Sequence, residues 1–205
     1  MTANERVPAY QEQLPLLPQL TSAPQPDPVI AAEPVGTEVD TMEGRWGLAT
    51  ATFDATRAYR YRLSRVWDQS GRRINFLLCN PSTADAFRLD PTVRRCVGFA
   101  KAWSAGSLEV TNCYSLRSTM PSGLSKVFDP VGPDNDEAVV AAALAADMVI
   151  AGWGVHGAYL DRAARVRRLL CAAGVVTHVL ALTKDGHPGH PLYLPSSATP
   201  TLWGL

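Results

Sequence analysis

The chain has 205 residues, 46% of them hydrophobic, and its 19 Lys and Arg are balanced by 19 Asp and Glu. That length and apolar share suit one soluble domain with a sizeable core. The balanced charge excludes a global basic field for holding nucleic acid, so any such contact would have to be a local patch. No apolar run reaches the roughly 18 residues of a membrane-spanning helix, and the N-terminus lacks the basic start and apolar block of a secretory signal.

Residues 1–44 read as a disordered, proline-rich leader. Pro8, Pro15, Pro18, Pro24, Pro26, Pro28 and Pro34 interrupt any regular pattern. Within it, Gln13–Pro18 is a candidate docking peptide for a protein partner, set against the plainer reading of a solvated leader. Residues 45–205 read as a single α/β domain.

Trp46–Phe53 and Tyr59–Trp67 are expected to form strands, the second with clear alternation, before a turn at Asp68–Gly71. Ile74–Cys79 is apolar enough for a strand buried on both faces. From here the pattern becomes strand–helix. Asp90-Pro91-Thr92 opens a helix that runs to about Ser104 and stops at Gly106. Leu108–Tyr114 is a strand, followed by a polar loop to about Pro133. Asp134–Glu137 opens a second helix, with acidic residues at its positive end. Met148–Ala151 is a short strand. Gly157–Ala173 is an amphipathic helix with Arg162, Arg165, Arg167 and Arg168 mostly facing solvent, and Val176–Leu182 is the last core strand. The expected architecture is a three-layer α/β sandwich. Its central sheet is mostly parallel and is extended by an N-terminal antiparallel hairpin.

Ligands of an open parallel sheet bind beyond the carboxyl ends of its strands. Four polar turns fall there: Asn80–Asp85, Asn112–Thr119, Gly152–His156 and Lys184–Tyr193. Asn80 offers a donor and an acceptor for a water or a base edge, and Pro81 drives it toward extended geometry. Its plain alternative is a turn cap. Asp85 is a candidate general base, or a cap on the next turn. Ser82 and Thr83 are candidate phosphate ligands. Asp90 reads as a helix N-cap, and Arg94 as either an anion ligand or part of a solvated face.

Asn112 and Tyr114 sit where the next strand ends. Arg117 is the candidate for phosphate or carboxylate recognition, because its planar fork fits both. Trp153, between two glycines, either stacks on a flat base or plugs the core. His187, His190 and Tyr193 complete the set. The close spacing of the two histidines invites a metal. The reading here is no metal, because zinc wants three or four convergent N or S ligands and none is spaced to help.

Cys79, Cys96, Cys113 and Cys171 form no C-x-x-C pair; Cys79 and Cys113, in apolar strand-like runs, read as buried small hydrophobes, and a reducing cytoplasm fits best. Neither G-x-x-x-x-G-K-[ST] nor G-x-S-x-G occurs, which disfavours ATP-driven phosphoryl transfer and ordinary esterase chemistry. No cofactor is expected.

Several motifs carry a resemblance. They are Asn80-Pro-Ser-Thr-Ala-Asp85, Asp90-Pro-Thr-Val-Arg-Arg95, Asn112–Thr119 with Pro121, Asp129-Pro-Val-Gly132 with Asn135, Trp153-Gly154, and Thr183–Tyr193. On these, over about Tyr59–Leu194, the chain resembles the bacterial and phage family called domain of unknown function sixteen forty-three, which brings no established activity. It is more distantly similar to uracil-DNA-glycosylase-type folds. That likeness implies that Asn80 positions the attacking water, that His190 stabilises the departing base, and that Trp153 or Tyr114 stacks on it. The departure is His190-Pro191-Leu192-Tyr193, where those enzymes tend to have His-Pro-Ser-Pro. The expected function is an enzyme of nucleobase, nucleotide or nucleic-acid chemistry, by glycosidic-bond or related hydrolysis. The alternative is a non-catalytic module that binds a nucleotide or modified base.

Overall fold

The computed structural model describes residues 37–44 and 47–204. The chain divides at Ile30, and all described residues belong to the second unit, Ala31–Leu205. The docking peptide Gln13–Pro18 and Trp46 lie outside the described residues. Thr37–Gly44, read above as the end of the leader, is a regular strand, β1. It pairs antiparallel with β2 (Gly47–Asp54) from Thr37↔Asp54 to Gly44↔Gly47.

β2 pairs antiparallel with β3 (Arg60–Val66), as the alternation predicts, with an irregularity at Thr52/Phe53. Further along, β4 (Arg73–Leu78), β5 (Ser107–Asn112), β6 (Met148–Ala151) and β7 (Thr177–Val179) follow, and a two-residue β8 (Thr201–Leu202) closes the sheet. The order is β1-β2-β3-β5-β4-β6-β7-β8. Three pairings are parallel (β5–β4, β4–β6 and β6–β7) and the other four are antiparallel. The sheet is therefore mixed, and the expectation of a mostly parallel sheet is corrected. The parallel block is the centre that the strand–helix rhythm marks. The excess of antiparallel pairs comes from β1, from β8, and from β5 entering between β3 and β4.

Three helices complete the fold. α1 (Pro91–Ala102) begins as local chemistry demands. The Asp90 carboxylate accepts the Val93 N–H at 2.8 Å, and Pro91 fills a first-turn position whose N–H has no helical partner. It ends earlier than expected, because Ser104 takes the left-handed conformation at φ 56. Gly106 instead lets the start of β5 touch the Asp68–Gly71 turn, where a Cβ would lie 2.1 Å from the Asp68 carbonyl. α2 spans Asn135–Leu144.

The expected long helix from Gly157 is two pieces, a 3₁₀ stretch over Val155–Asp161 and α3 over Arg162–Ala172. Leu160 and Asp161, both left-handed, separate them. That break turns Arg162 inward; it is 2% exposed rather than solvent-facing.

Alternation along the parallel strands divides the core. Ile74, Phe76, Leu78, Leu108, Val110 and Ile150 pack with Val93, Cys96, Phe99 and Ala100 of α1. Leu77, Val149, Ala151 and Val179 pack with Val139 of α2 and with Val166 and Leu170 of α3. Burial of these side chains is the main favourable term in the fold.

Candidate functional site at the carboxyl edge of the parallel strands

Main-chain hydrogen bonds draw the four polar turns toward one rim. The Cys113 and Tyr114 amides bond the Leu78 and Cys79 carbonyls, tying the ends of β5 and β4. The Ser118 amide bonds the Pro81 carbonyl at 2.8 Å. Beyond β7 the chain doubles back: Gly189 N bonds Ala181 O, and Gly154 N bonds Pro188 O at 2.8 Å. This reversal returns His190 and Pro191 over the ends of β6 and β4. A Cβ on Gly152 would meet Pro191 at 2.9 Å and Leu78 at 3.2 Å, and a Cβ on Gly154 would lie 3.7 Å from that of His190. Gly154 has φ +66 with extended ψ, a backbone suited to glycine.

His190 is half-buried with defined hydrogen-bond polarity. Its Nδ1 accepts the Leu192 N–H at 3.4 Å, so the neutral ring carries its proton on Nε2. Burial holds its pKa below the ordinary value, against the opposing pull of the Asp90 carboxylate. A neutral imidazole with Nε2–H is a hydrogen-bond donor at neutral pH. Its ring centroid lies 5.6 Å from that of Tyr193, which is 81% exposed.

Other predicted residues serve the loops themselves. The Asn80 amide donates to the Pro81 carbonyl at 3.0 Å and the Ser118 carbonyl at 2.8 Å, which ties two of the turns. The Asp85 carboxylate accepts the Phe87 and Arg88 amides, both at 2.9 Å, and pairs with Arg88 at 3.7 Å, so the turn-capping alternative describes its contacts. Ser82 is half-buried, while Thr83 and Arg94 are exposed. Asn112 is buried and accepts from Arg60. Arg117 turns toward the β2–β3 connection, donating to the Arg57 carbonyl at 3.3 Å with its guanidinium 5.2 Å from the Phe53 ring centroid. His187 is half-buried, and its backbone N–H donates to the Thr183 hydroxyl oxygen at 3.1 Å.

Two rings are withdrawn from stacking. Tyr114 is fully buried and donates its hydroxyl to the carbonyls around Gly157 and Tyr159. Trp153 is 2% exposed, meets Trp203 edge-on at 5.5 Å, and packs so closely on Gly157 that a Cβ there would come within 2.3 Å. Both are core plugs, because the loop after β6 folds back over them.

Gly152–Gly157 also spells G-x-G-x-x-G, a spacing absent from the reading above. It does not act as a dinucleotide cradle here. Pro191 fills the space over Gly152, Trp153 fills that over Gly157, and a 3₁₀ stretch rather than an α-helix follows directly.

Three buried polar residues, Arg60, Asn135 and Arg162, have partners that the sequence reading did not foresee. Arg60 is 2% exposed; its Nη1 donates to Ala84 O at 2.7 Å and its Nη2 to Asn112 Oδ1 at 3.4 Å. Asn135 clamps the Asn112 and Cys113 carbonyls, and Arg162 donates to Cys113 O and to Asp136. Their partners are mainly main-chain carbonyls distant in sequence, which no local pattern encodes. Among the described residues, no three of His, Cys, Asp or Glu come together in a way that could hold a metal ion. No described helix is long and apolar enough to cross a membrane. A cavity of about 380 Å³ opens elsewhere, between β2–β3 and α1, lined by Ala49, Trp67, Leu89 and Val97 among others, and by none of the predicted site residues.

The fold and rim define an α/β protein with a polar edge built on a parallel block. Residues 60–192 match the family described as "Protein of unknown function (DUF1643)", and the chain belongs to that family. No curated protein and no solved structure matches the chain.

Proposed function

We propose that this protein is an enzyme that acts on a nucleobase, nucleotide or nucleic acid, by hydrolysis of a glycosidic or related bond, at the carboxyl edge of the sheet. The reading takes the frame as a three-layer sandwich, supported by apolar clusters on two faces of β4. It takes the setting as cytoplasmic, supported by four free cysteines. The observation that carries it is His190, held beside Gly154 with Nδ1 accepting and Nε2 left to donate. A donor of that kind stabilises negative charge building on the carbonyl oxygen of a departing base.

The test is a product assay for free base with nucleosides, nucleotides and oligonucleotides as substrates. His190→Ala should lower turnover by about 10²–10⁴-fold, the usual range for a lost proton donor or acceptor. Full turnover in both His190→Ala and Asn80→Ala would sink the mechanism. One observation favours the alternative of a non-catalytic nucleotide-binding module: Asn80 and Asp85, the expected water-positioning group and base, both spend hydrogen bonds on their own turns. Tight binding with no product would establish that alternative.

A further inference from the structure

Arginine pairing divides sharply along this chain. Arg57 pairs with Glu38 and Asp40, Arg62 with Glu109, Arg162 and Arg165 with Asp136, and Arg168 with Asp161. The described arginines without such a pair include Arg72, Arg73, Arg94, Arg95 and Arg167, and three more gather around the Asn80–Asp85 turn. Arg60, Arg65 and Arg117 have no carboxylate ion pair among the described residues. Their donors go to neutral oxygens: Ala84 O and Asn112 Oδ1 for Arg60, Ser64 O and Asp85 O for Arg65, and Arg57 O for Arg117.

Arg60 is 2% exposed, and its buried Nε has no partner; the Nε of Arg117 is likewise buried and unpartnered. Buried charges are ordinarily paired, because an uncompensated one carries a large desolvation penalty. The nearby carboxylates do not balance them. Asp90 caps α1, and Asp85 caps its own turn and is shared with Arg88. The charges that act on Arg60 are thus the guanidiniums of Arg65 and Arg117 and the already engaged carboxylates of Asp85 and Asp90. Burial brings the Arg60 pKa down to about 10, with Arg117 and Arg65 adding to the fall, and it remains charged at neutral pH.

We infer that this cluster is an anion site for the phosphomonoester of a small nucleotide, with Arg117 as the contacting guanidinium and Arg60 and Arg65 supplying the field behind it. A phosphomonoester carries close to two negative charges at neutral pH and accepts from planar guanidinium forks. The Ser118–Pro81 and Asn80–Ser118 hydrogen bonds tie the Asn80–Asp85 turn to the Arg117 loop. The inference rests on the nucleotide reading above and names its charged end.

The test is calorimetric titration of the full chain with inorganic phosphate, with each common nucleoside 5′-monophosphate, and with the same nucleosides unphosphorylated. The monophosphate of the preferred base should bind about ten-fold or more tightly than its nucleoside. Arg117→Gln should abolish that difference without changing nucleoside affinity or Tm, and Arg117→Lys should restore only part of it. Arg60→Met, followed by phosphate-induced change in Tm, gives a second readout. Equal affinity for nucleoside and monophosphate, or a phosphate response that survives Arg117→Gln, overturns the anion site and leaves the nucleotide reading standing. Phosphate binding that no nucleoside improves supports the anion site and removes the nucleotide. An unphosphorylated single-stranded oligonucleotide that outcompetes the monophosphate overturns the phosphomonoester assignment.

Discussion

Arg60 and Arg162 are both 2% exposed, and both lie near the end of β5, yet their surroundings differ. Arg162 reaches the Asp136 carboxylate, which Arg165 shares, and its Nε bonds the Cys113 carbonyl. Arg60 meets no carboxylate; its partners are a carbonyl and a carboxamide. Arg162 is thus one member of a charge network that Asp136 and Arg165 complete. Arg60, a buried cation whose partners are neutral oxygens, has no such compensation among the described residues. The contrast separates an arginine that holds α2 against α3 from one that serves the rim.

The largest expected effect is at Arg162. Arg162→Ala should lower the urea unfolding free energy by about 1–3 kcal/mol, because it leaves the Cys113 carbonyl without its buried donor while Asp136 keeps Arg165. Arg60→Met should stay within about 1 kcal/mol of the wild type, because no opposite charge is orphaned. Equal losses at the two positions would erase the distinction. Next in size is Asp90→Ala, which removes the side-chain acceptor for the Val93 amide and should cost about 1 kcal/mol. Denaturant melts of Asp90→Ala and Asp90→Ser would separate the cap from the charge, since Ser caps without one.

The smallest effect is a pH dependence. Burial lowers the His190 pKa in the fold, so between that value and the unfolded value near 6.5 the unfolded chain binds more protons. Its contribution to stability is therefore complete above about pH 6.5 and is lost as pH falls through the folded pKa. Tm should drop from pH 7 to pH 5, and the drop should shrink in His190→Gln. An unchanged drop in that variant would detach the effect from His190.

Features set by neighbouring residues are legible in the sequence. The Asp90 cap, the alternation of β3 and the apolar strands ending in polar turns each follow from interactions a few residues apart. Illegible were the features that depend on distant pairing. β5 enters between β3 and β4, so the sheet becomes mixed, although the local rhythm reads as parallel. Trp153 lies between two glycines, the setting of a stacking platform, but the loop after β6 and Trp203 cover it. Arg162 sits in what looks like the polar face of a helix until the left-handed Leu160 and Asp161 turn it inward.

Composition, periodicity and capping chemistry alone determined that this chain forms an α/β domain, where most of its strands end, and which four turns carry polar residues. Only the tertiary structure decided which of those residues meet. The return of the chain from Ala181 to Gly189 delivers His190 to Gly154, and the antiparallel approach of β3 to β5 buries Arg60 beside Asn112. The physical reason is range. Hydrophobic alternation and helix caps act over a few residues, whereas the burial of a charge and the choice of its partner depend on groups that only folding brings together.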